Sequence, residues 1–317
     1  MNVASVDATS GVLFTAPAKL NLFLHVVGRR DDGYHLIQSA FQLIDLADTL
    51  TITRRDDGDI VRLDPLPGVA PEADLAVRAA RRLQAATGTR WGADITIAKR
   101  IPIGGGLGGG SSDAATTLLA LNGIWKLGLS RTELIEIGAA LGADLPFFLY
   151  GRNAFVEGIG EILTPLTLPA RDFALIYPGV AVSTAAVFTA PELTRNTAAI
   201  KILDFSKHAE SLNFPVLRDA KPAVDGLPAG VGNDLQTVVA SRYPKVRDAL
   251  AWLAQEARDD RVAAIGPARM SGSGACVFRA FASRADASRR LAALPAGWTG
   301  WCVRSLAVHP HRELAQD

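Results

Sequence analysis

The densest chemical signal in this chain is Ile101-Pro-Ile-Gly-Gly-Gly-Leu-Gly-Gly-Gly-Ser-Ser-Asp113. Glycine has no Cβ, so successive backbone N–H groups can converge on a ligand, and φ > 0 is open to it. The run leads into an apolar, alanine-rich segment ending near Trp125, whose helix is expected to begin near Ser111 or Ser112. Its free N–H groups and positive dipole end would face the loop and form an anion cradle, the usual anion being phosphate. A flexible linker is the plain alternative, but Ile-Pro-Ile on one side and an amphipathic helix on the other are not linker flanks. A branched side chain at Gly106 is expected to fill space meant for phosphate oxygens.

Two better-known phosphate loops are excluded. Gly104, Gly106 and Gly109 satisfy G-x-G-x-x-G, but a dinucleotide site also needs an acid at the end of the following strand. After Asp113 the next acid is Glu133, inside a second helix signal. A Walker loop needs lysine after its last glycine, and Ser111 stands there. The countercharge must come from elsewhere. Phosphoryl transfer needs a phosphate cradle, a cation near the moving charge and a group to take the hydroxyl proton. Lys19 follows Pro17 at a bend between two strand signals, where an ordinary surface lysine gains nothing; a solvated loop lysine is the alternative. Asp144 lies just past a helix, in a loop stiffened by Pro146; a turn aspartate is the alternative.

The elements that must position these groups follow from pattern. Val12–Thr15 and Leu20–Val27 read as two short strands meeting at Pro17, and a polar turn at residues 29–33 leads to an extended run over Leu36–Leu46. Leu50–Thr53 and Ile60–Leu63 read as a strand pair around Asp56-Asp-Gly58. Leu75–Ala86 has helical periodicity and stops at Gly88, and Ala93–Ala98 alternates as a strand before the glycine loop. Ser130-Arg-Thr-Glu133 is a capping box opening a helix that ends at Gly142. Asn153–Glu157 and Phe173–Tyr177 are strand signals, and the proline-bearing run Thr164–Arg171 between them is the candidate domain boundary. Thr194–Asp225 is polar and holds little periodicity. Helices over Asp234–Ala240, Val246–Ala257 and Ala285–Ala293 alternate with strands at Val262–Ile265, Cys276–Phe278 and Trp301–Leu306, an α+β pattern. Met270-Ser-Gly-Ser-Gly274 is a second small-residue turn.

Composition narrows the class. A chain of 317 residues with 49% hydrophobic content can bury a large core, and its length suits two domains. A net charge of +1 argues for no nucleic-acid partner. No apolar run reaches the length of a membrane span, and residues 1–10 lack the features of a signal peptide. Two cysteines, Cys276 and Cys302, are too few for a disulfide framework, so a reduced cytoplasmic setting is expected. The scattered histidines, including His309-Pro-His311, read as a solvated tail and not as a metal pair.

Three motifs together resemble the GHMP family of small-molecule kinases: Pro17-Ala-Lys-Leu-Asn21, the loop from Pro102 to Ser112, and Ser271-Gly-Ser-Gly274. Arg30-Asp-Asp-Gly-Tyr-His35, Phe41-Gln-Leu-Ile-Asp-Leu46, Gly142-Ala-Asp-Leu-Pro-Phe-Phe148 and Gly232-Asn-Asp-Leu-Gln236 narrow the resemblance to one branch. That branch phosphorylates a cytidine-diphosphate-linked alcohol on the non-mevalonate route to isoprenoid precursors. The likeness spans about Pro17 to Val303. It implies a two-domain GHMP kinase fold. Residues 1–165 would form the nucleotide-binding domain, like ribosomal protein S5 domain 2, and residues 166–317 a ferredoxin-like C-terminal domain. ATP is the implied co-substrate and Mg²⁺ is expected with it, its ligands unassigned.

By the same resemblance Lys19 and Asp144 are catalytic, the lysine polarising the attacking hydroxyl and the aspartate acting as base. Lys99, Pro102, Ile103, Gly104, Gly105, Gly106, Leu107, Gly108, Gly109, Gly110, Ser111 and Ser112 would bind ATP. Lys99 could equally be a solvent-facing strand end. Asn21, Tyr34, His35 and Phe188 would bind the acceptor: Asn21 bridges through its amide, Tyr34 stacks on the base and His35 reads its edge. Phe188 would be a second stacking ring, or a core phenylalanine at a strand end. The chain departs from the family at Asp74, where asparagine is usual; a carboxylate accepts hydrogen bonds but cannot donate to a ring nitrogen. The implied partner is a small molecule, with neither nucleic acid nor membrane, and the oligomeric state is open. A family member acting on another alcohol, such as homoserine or mevalonate, is the nearest alternative, and Asp-Gly-Tyr-His separates it. A non-catalytic ligand sensor on the same fold is the alternative of another class.

Overall fold

The structure, a computed structural model, describes residues 11–66, 69–70, 72–201, 231–255 and 263–317. Two long antiparallel strands, β1 (Val12–Arg29) and β2 (His35–Arg55), open the chain and are joined by a tight turn at residues 30–33. Gly33 takes φ 91° there, and its N–H donates to the Arg30 carbonyl. The two short strands expected around Pro17 are one strand. Its register shifts between Pro17 and Ala18. A bulge at that point absorbs a residue that has no N–H for the ladder.

Leu36–Leu46 and Leu50–Thr53 likewise fall on the single strand β2. One edge of β2 pairs with β1, and three further strands pair along its length. These are β5 (Ala154–Glu157) at Ser39–Phe41, β10 (Thr299–Leu306) at Leu43 and Ile44, and β4 (Gly92–Ala98) at Thr49–Arg55. The expected pairing of Leu50–Thr53 with Ile60–Leu63 does not form. Instead β4 occupies the β2 edge, and β3 (Ile60–Arg62) lies parallel to the far side of β4. β6 (Ile162–Pro165) pairs with β5. β7 (Asp172–Tyr177), β8 (Ala264–Met270) and β9 (Val277–Phe281) complete a ten-stranded sheet with the path β3-β4-β2-β10-β7-β9-β8.

Helix α1 (Leu75–Thr87) starts where Asp74 accepts from the Ala76 and Val77 N–H groups, and it ends at Gly88 in the left-handed region. Helix α2 (Gly109–Ile124) begins at Gly109, ahead of the expected Ser111. Residues Ser112–Asn122 are buried all round, because α1, α3 (Arg131–Ala139), α4 (Leu145–Tyr150) and the sheet enclose it. The capping box at Ser130 and Glu133 forms as expected, although α3 stops at Ala139 and not at Gly142. Where a loop was expected after Asp144, the chain forms the short helix α4 with Asp144 at its N-cap. Pro146 falls in the first turn, where a missing N–H costs nothing.

Beyond β7, α5 (Thr184–Phe188), α6 (Asp234–Arg242), α7 (Pro244–Ala254) and α8 (Arg284–Leu291) pack with β7–β9 around a second core that takes in Leu235, Val239 and Met270. A smaller cluster of Leu20, Ile44, Leu107, Leu175 and Cys276 joins the two cores under the glycine loop. The part of the polar Thr194–Asp225 stretch from residue 202 on lies outside the described residues. Among the described residues no helix is long and apolar enough to cross a membrane.

The tail differs from expectation. His309 is 1% exposed, and its N–H donates to the Gly151 carbonyl. The Arg131 guanidinium donates to the carbonyls of Arg312 and Ala315 and to Asp317. His311 accepts from the Thr15 N–H and meets Phe14 edge-on. The histidines pack the tail onto the first core. Burial, with His311 and Arg131 adding to it, pushes the His309 pKa down to about 3.

Candidate active site

The glycine loop leaves β4 and delivers the chain to α2 with no side chain capping the helix start, so the first-turn N–H groups are free for an anion. Gly104, Gly106 and Gly108 hold φ of 67°, 74° and 72°, as the sequence pattern requires. The second small-residue turn lies directly against this loop. Ala275 and Cys276 donate their N–H groups to the Gly104 and Gly105 carbonyls, and Ser271 Oγ donates to the Gly106 carbonyl. This changes the reading of Gly106. A Cβ there would stand 2.1 Å from the Ser271 carbonyl oxygen, so the missing side chain leaves room for the neighbouring loop and not for phosphate.

Asn233 holds that second turn in place by donating to the Met270 and Gly272 carbonyls, while Asp234 accepts from the Val26 N–H. The Gly232-Asn-Asp-Leu-Gln236 motif is therefore a clamp between β1, α6 and the paired loops.

Lys19 is buried, with its backbone N–H on the Leu107 carbonyl. Its ammonium donates to Asn21 Oδ1 at 2.5 Å, stands 3.5 Å from Asp144 Oδ2, and lies 4.5 Å above the centre of the Phe41 ring. Burial pulls the ammonium pKa down, and Asp144 works against that pull. Asp144 is 31% exposed, so its carboxylate is open to a ligand while Lys19 holds it. Asn21 is 1% exposed; its amide nitrogen donates to Ser39 Oγ at 3.0 Å. Both ends of the Asn21 amide are thus taken by the protein, and they aim Lys19. Phe41 and Phe147, edge-on at 5.1 Å and fully buried, form the apolar floor under that pair. Cutting either to alanine would cost about 3–5 kcal/mol.

Lys99 is not a solvent-facing strand end. Its ammonium bridges Asp48 Oδ2 at 2.5 Å and Asp113 Oδ2 at 2.6 Å. Burial alone would lower its pKa, but the two carboxylates outweigh burial and raise it. Burial raises the Asp113 pKa, and the nearby Asp48 charge adds to this. Asp48 also accepts from the Arg100 and Ile101 N–H groups, fixing the start of the glycine loop. Sequence reasoning missed Asp48 and Asp113 as site-building residues. Leu43–Leu50 carries two carboxylates, Asp45 and Asp48, and nothing in the sequence marks Asp48 as the buried one.

Tyr34 stands 60% exposed at the rim, and His35 begins β2 beside it. Phe188 is at the end of helix α5, not at a strand end, and its ring centre is 5.0 Å from that of His35. Arg195, which no sequence signal singled out, donates from Nε to His35 Nε2 at 3.0 Å. Burial, then Arg195, then Arg29 lower the His35 pKa.

A cavity of about 1020 Å³ is lined by all of the residues expected at the site except Ser112. Ser112 is buried, and its hydroxyl donates to the Pro17 carbonyl at 2.6 Å. The volume is at the upper end for a single-ligand pocket, enough for two substrates side by side. Asp74 lines it too, yet its oxygens are engaged by the α1 N–H groups and by Arg62 Nη1 at 3.0 Å. In this chain the residue caps a helix and pairs with an arginine. No cluster of three or more metal-ligating side chains occurs among the described residues.

The family model for the GHMP kinases N terminal domain matches residues 74–152, and that for the GHMP kinases C terminal matches residues 214–300. The 4-diphosphocytidyl-2-C-methyl-D-erythritol kinase of Azoarcus sp. is 53% identical, covering 95% of this chain and 97% of its own length. That of Cupriavidus necator is 52% identical, covering 95% and 94%. A crystal structure of 4-(cytidine 5'-diphospho)-2C-methyl-D-erythritol kinase superposes with a TM-score of 0.74 at 32% identity, over 93% of this chain and 99% of that one. A homoserine kinase from Cytophaga hutchinsonii, at 16% identity and a TM-score of 0.65, shares the fold. The chain is a small-molecule kinase and belongs to the 4-diphosphocytidyl-2-C-methyl-D-erythritol kinases of the GHMP kinase family.

Proposed function

We propose that this chain transfers the γ-phosphoryl group of ATP to the C2 hydroxyl of 4-diphosphocytidyl-2-C-methyl-D-erythritol, a step of the non-mevalonate route to isoprenoid precursors. The observation that carries the reading is one cavity lined by the glycine loop, by the Lys19–Asp144 pair and by the aromatic rim of Tyr34, His35 and Phe188. The backbone N–H groups at the start of α2 hold the nucleotide phosphates. Asp144, open at the cavity wall, takes the proton of the acceptor hydroxyl as its oxygen bonds to the γ-phosphorus and the bond to ADP breaks. Lys19 polarises that hydroxyl. A carboxylate beside an ammonium is a weak base, so holding the hydroxyl in line supplies much of the rate. Asn21 acts by aiming Lys19, and Lys99 with Asp48 and Asp113 fixes the loop against α2.

Mg²⁺ fits here as an ion carried on the nucleotide phosphates and water, since the described residues offer no cage for it. Asp113 Oδ1, buried and without a partner beside the loop, is the side-chain oxygen placed to support it. When bound, the ion would neutralise phosphate charge. The domain division near residue 165, the small-molecule partnership without nucleic acid or membrane, and a cytoplasmic setting belong to the same reading.

The test is ADP release with purified full-length protein and a panel of alcohols: the cytidyl methylerythritol, homoserine and mevalonate. Release with the cytidyl compound alone is expected. Release only with another alcohol would move the assignment within the family, and no release with any would revive the ligand-sensor alternative.

A further inference from the structure

The residue that sets His35's protonation pattern lies on an irregular segment of the second half, and it has one feature that decides the chemistry. A guanidinium can only donate hydrogen bonds. Arg195 Nε points at His35 Nε2 across 3.0 Å, so Nε2 must present its lone pair. The imidazolium and the Nε2–H tautomer would both set two donors against each other. The ring is therefore neutral, with its proton on Nδ1.

Arg195 is held firmly enough to impose this. Nη1 donates to the Leu193 carbonyl at 3.0 Å, and Nη2 donates to the Phe188 and Ala190 carbonyls at 3.0 and 2.7 Å. These carbonyls belong to the end of α5 and the turn after it, so the same guanidinium that orients His35 also fixes the backbone carrying the Phe188 ring. Among the described residues its hydrogen-bond partners are carbonyls and an imidazole, and the nearby Glu192 carboxylate, which feels its charge, is hydrogen-bonded to Arg242 instead. Tyr34, His35, Phe188 and Arg195 all line the cavity.

We propose that Arg195 is a specificity-determining positioning residue, locking His35 as an Nδ1–H donor so that the acceptor's base must offer a lone pair at that edge. The inference rests on the reading that the acceptor carries cytosine. Cytosine N3 is a lone-pair acceptor, whereas uracil N3 carries a hydrogen. A donor-only imidazole pairs with the first and confronts the second with N–H against N–H, leaving a desolvated donor unpaired. A site built to bond one polar edge rejects an analogue that lacks it far more strongly than packing alone can. Without Arg195 the imidazole could place its proton on either nitrogen and meet both bases.

Two readouts on the full-length enzyme test this. The first is the nitrogen-15 histidine spectrum of the free protein at neutral pH, with His35 assigned by its loss in His35→Gln. The expected pattern is neutral Nδ1–H in the wild type, a mixed pattern in Arg195→Met, and the wild-type pattern retained in Arg195→Lys, whose ammonium also only donates. The second is the ratio of kcat/KM for the cytidyl alcohol to that for its uridyl analogue. Arg195→Met should lower the ratio at least about tenfold, through KM for the alcohol and with KM for ATP unchanged, and Arg195→Lys should restore most of it. An Nε2–H or imidazolium pattern in the wild type overturns the proposal, and this needs no variant to fold. So does an unchanged ratio in a folded Arg195→Met. If the wild type phosphorylates neither nucleotidyl alcohol but shows the Nδ1–H pattern, the cytosine reading fails and the specificity role falls with it, while the tautomer assignment stands.

Discussion

At the glycine-loop end of the cavity the groups that face a ligand are backbone N–H groups at the start of α2, supported from behind by buried contacts. Ser271, Ala275 and Cys276 bond the loop carbonyls, and Asp48 and Asp113 hold Lys99 against it. At the end proposed for the acceptor the groups are side chains, and the first of them, Tyr34, stands 60% exposed. A backbone cradle recognises phosphate whatever it is attached to, which suits a step shared by a whole family of kinases. A rim of rings and one oriented imidazole recognises a particular base, and it can change without disturbing the cradle. The homoserine kinase at 16% identity shares the fold.

If the two ends are separable, variants should split cleanly between turnover and acceptor affinity. The largest effect is expected from Asp144→Asn, which should leave ATP binding nearly intact and lower kcat by about two to four orders of magnitude, the loss usual for a general base. Calorimetric ATP titration beside steady-state rates checks both halves, and turnover within a few-fold of wild type would remove Asp144 from that role. Tyr34→Ala should raise KM for the cytidyl alcohol about ten- to hundredfold, taking base stacking at about 1–3 kcal/mol, with KM for ATP unchanged. Equal damage to both constants would make the ring a structural wedge and break the comparison.

Gly106→Ala should act on the fold before it acts on ATP. Its φ of 74° disfavours a side chain, and the Cβ would meet the Ser271 carbonyl. A fall of about 5 °C or more in the thermal midpoint is expected, read by circular dichroism. An unchanged midpoint with weakened ATP binding would return this glycine to phosphate contact.

The smallest effect concerns pH. Burial, Arg195 and Arg29 hold the His35 pKa below its ordinary value, so the neutral ring persists as pH falls through the usual histidine range. KM for the cytidyl alcohol should therefore stay flat from about pH 8 to about pH 6.5 and rise only below that. A rise already under way at pH 7 would mean the ring charges at its ordinary value or above.

How much of this was legible in the sequence depended on whether a residue's neighbours in space were also its neighbours in sequence. The glycine loop could be read because a backbone that needs φ > 0 must use glycine locally, and the capping box at Ser130 because both partners lie within one turn. Lys19 and Asp144 could be placed only through the motifs around them; that they meet at 3.5 Å is tertiary. Pro17 signals a break, yet sheet pairing on the long β2 strand outweighs one missing N–H, and the strand continues through a bulge. His309 looked like a solvated tail because nothing near it in sequence reveals that Gly151 and Thr116 close over it. Asp74 was visible as a departure from the family. Its engagement by Arg62 was not, since the two are joined across a strand and a helix start. Arg195 lies in a stretch without periodicity, and only the folded chain brings it to His35.

In the proposed reaction Asp144 and Lys19 carry phosphoryl transfer to one hydroxyl of a cytidine-bearing alcohol. The most direct measurement is phosphorus-31 NMR of enzyme, ATP and the cytidyl methylerythritol, followed in parallel for wild type and Asp144→Asn. A single new phosphomonoester on the C2 hydroxyl, formed one-for-one with ADP, is expected in the wild type. Asp144→Asn, with ATP still bound, should form almost none over the same period. Ester formation by the variant at the wild-type rate, or a wild type that yields only free phosphate, would contradict it.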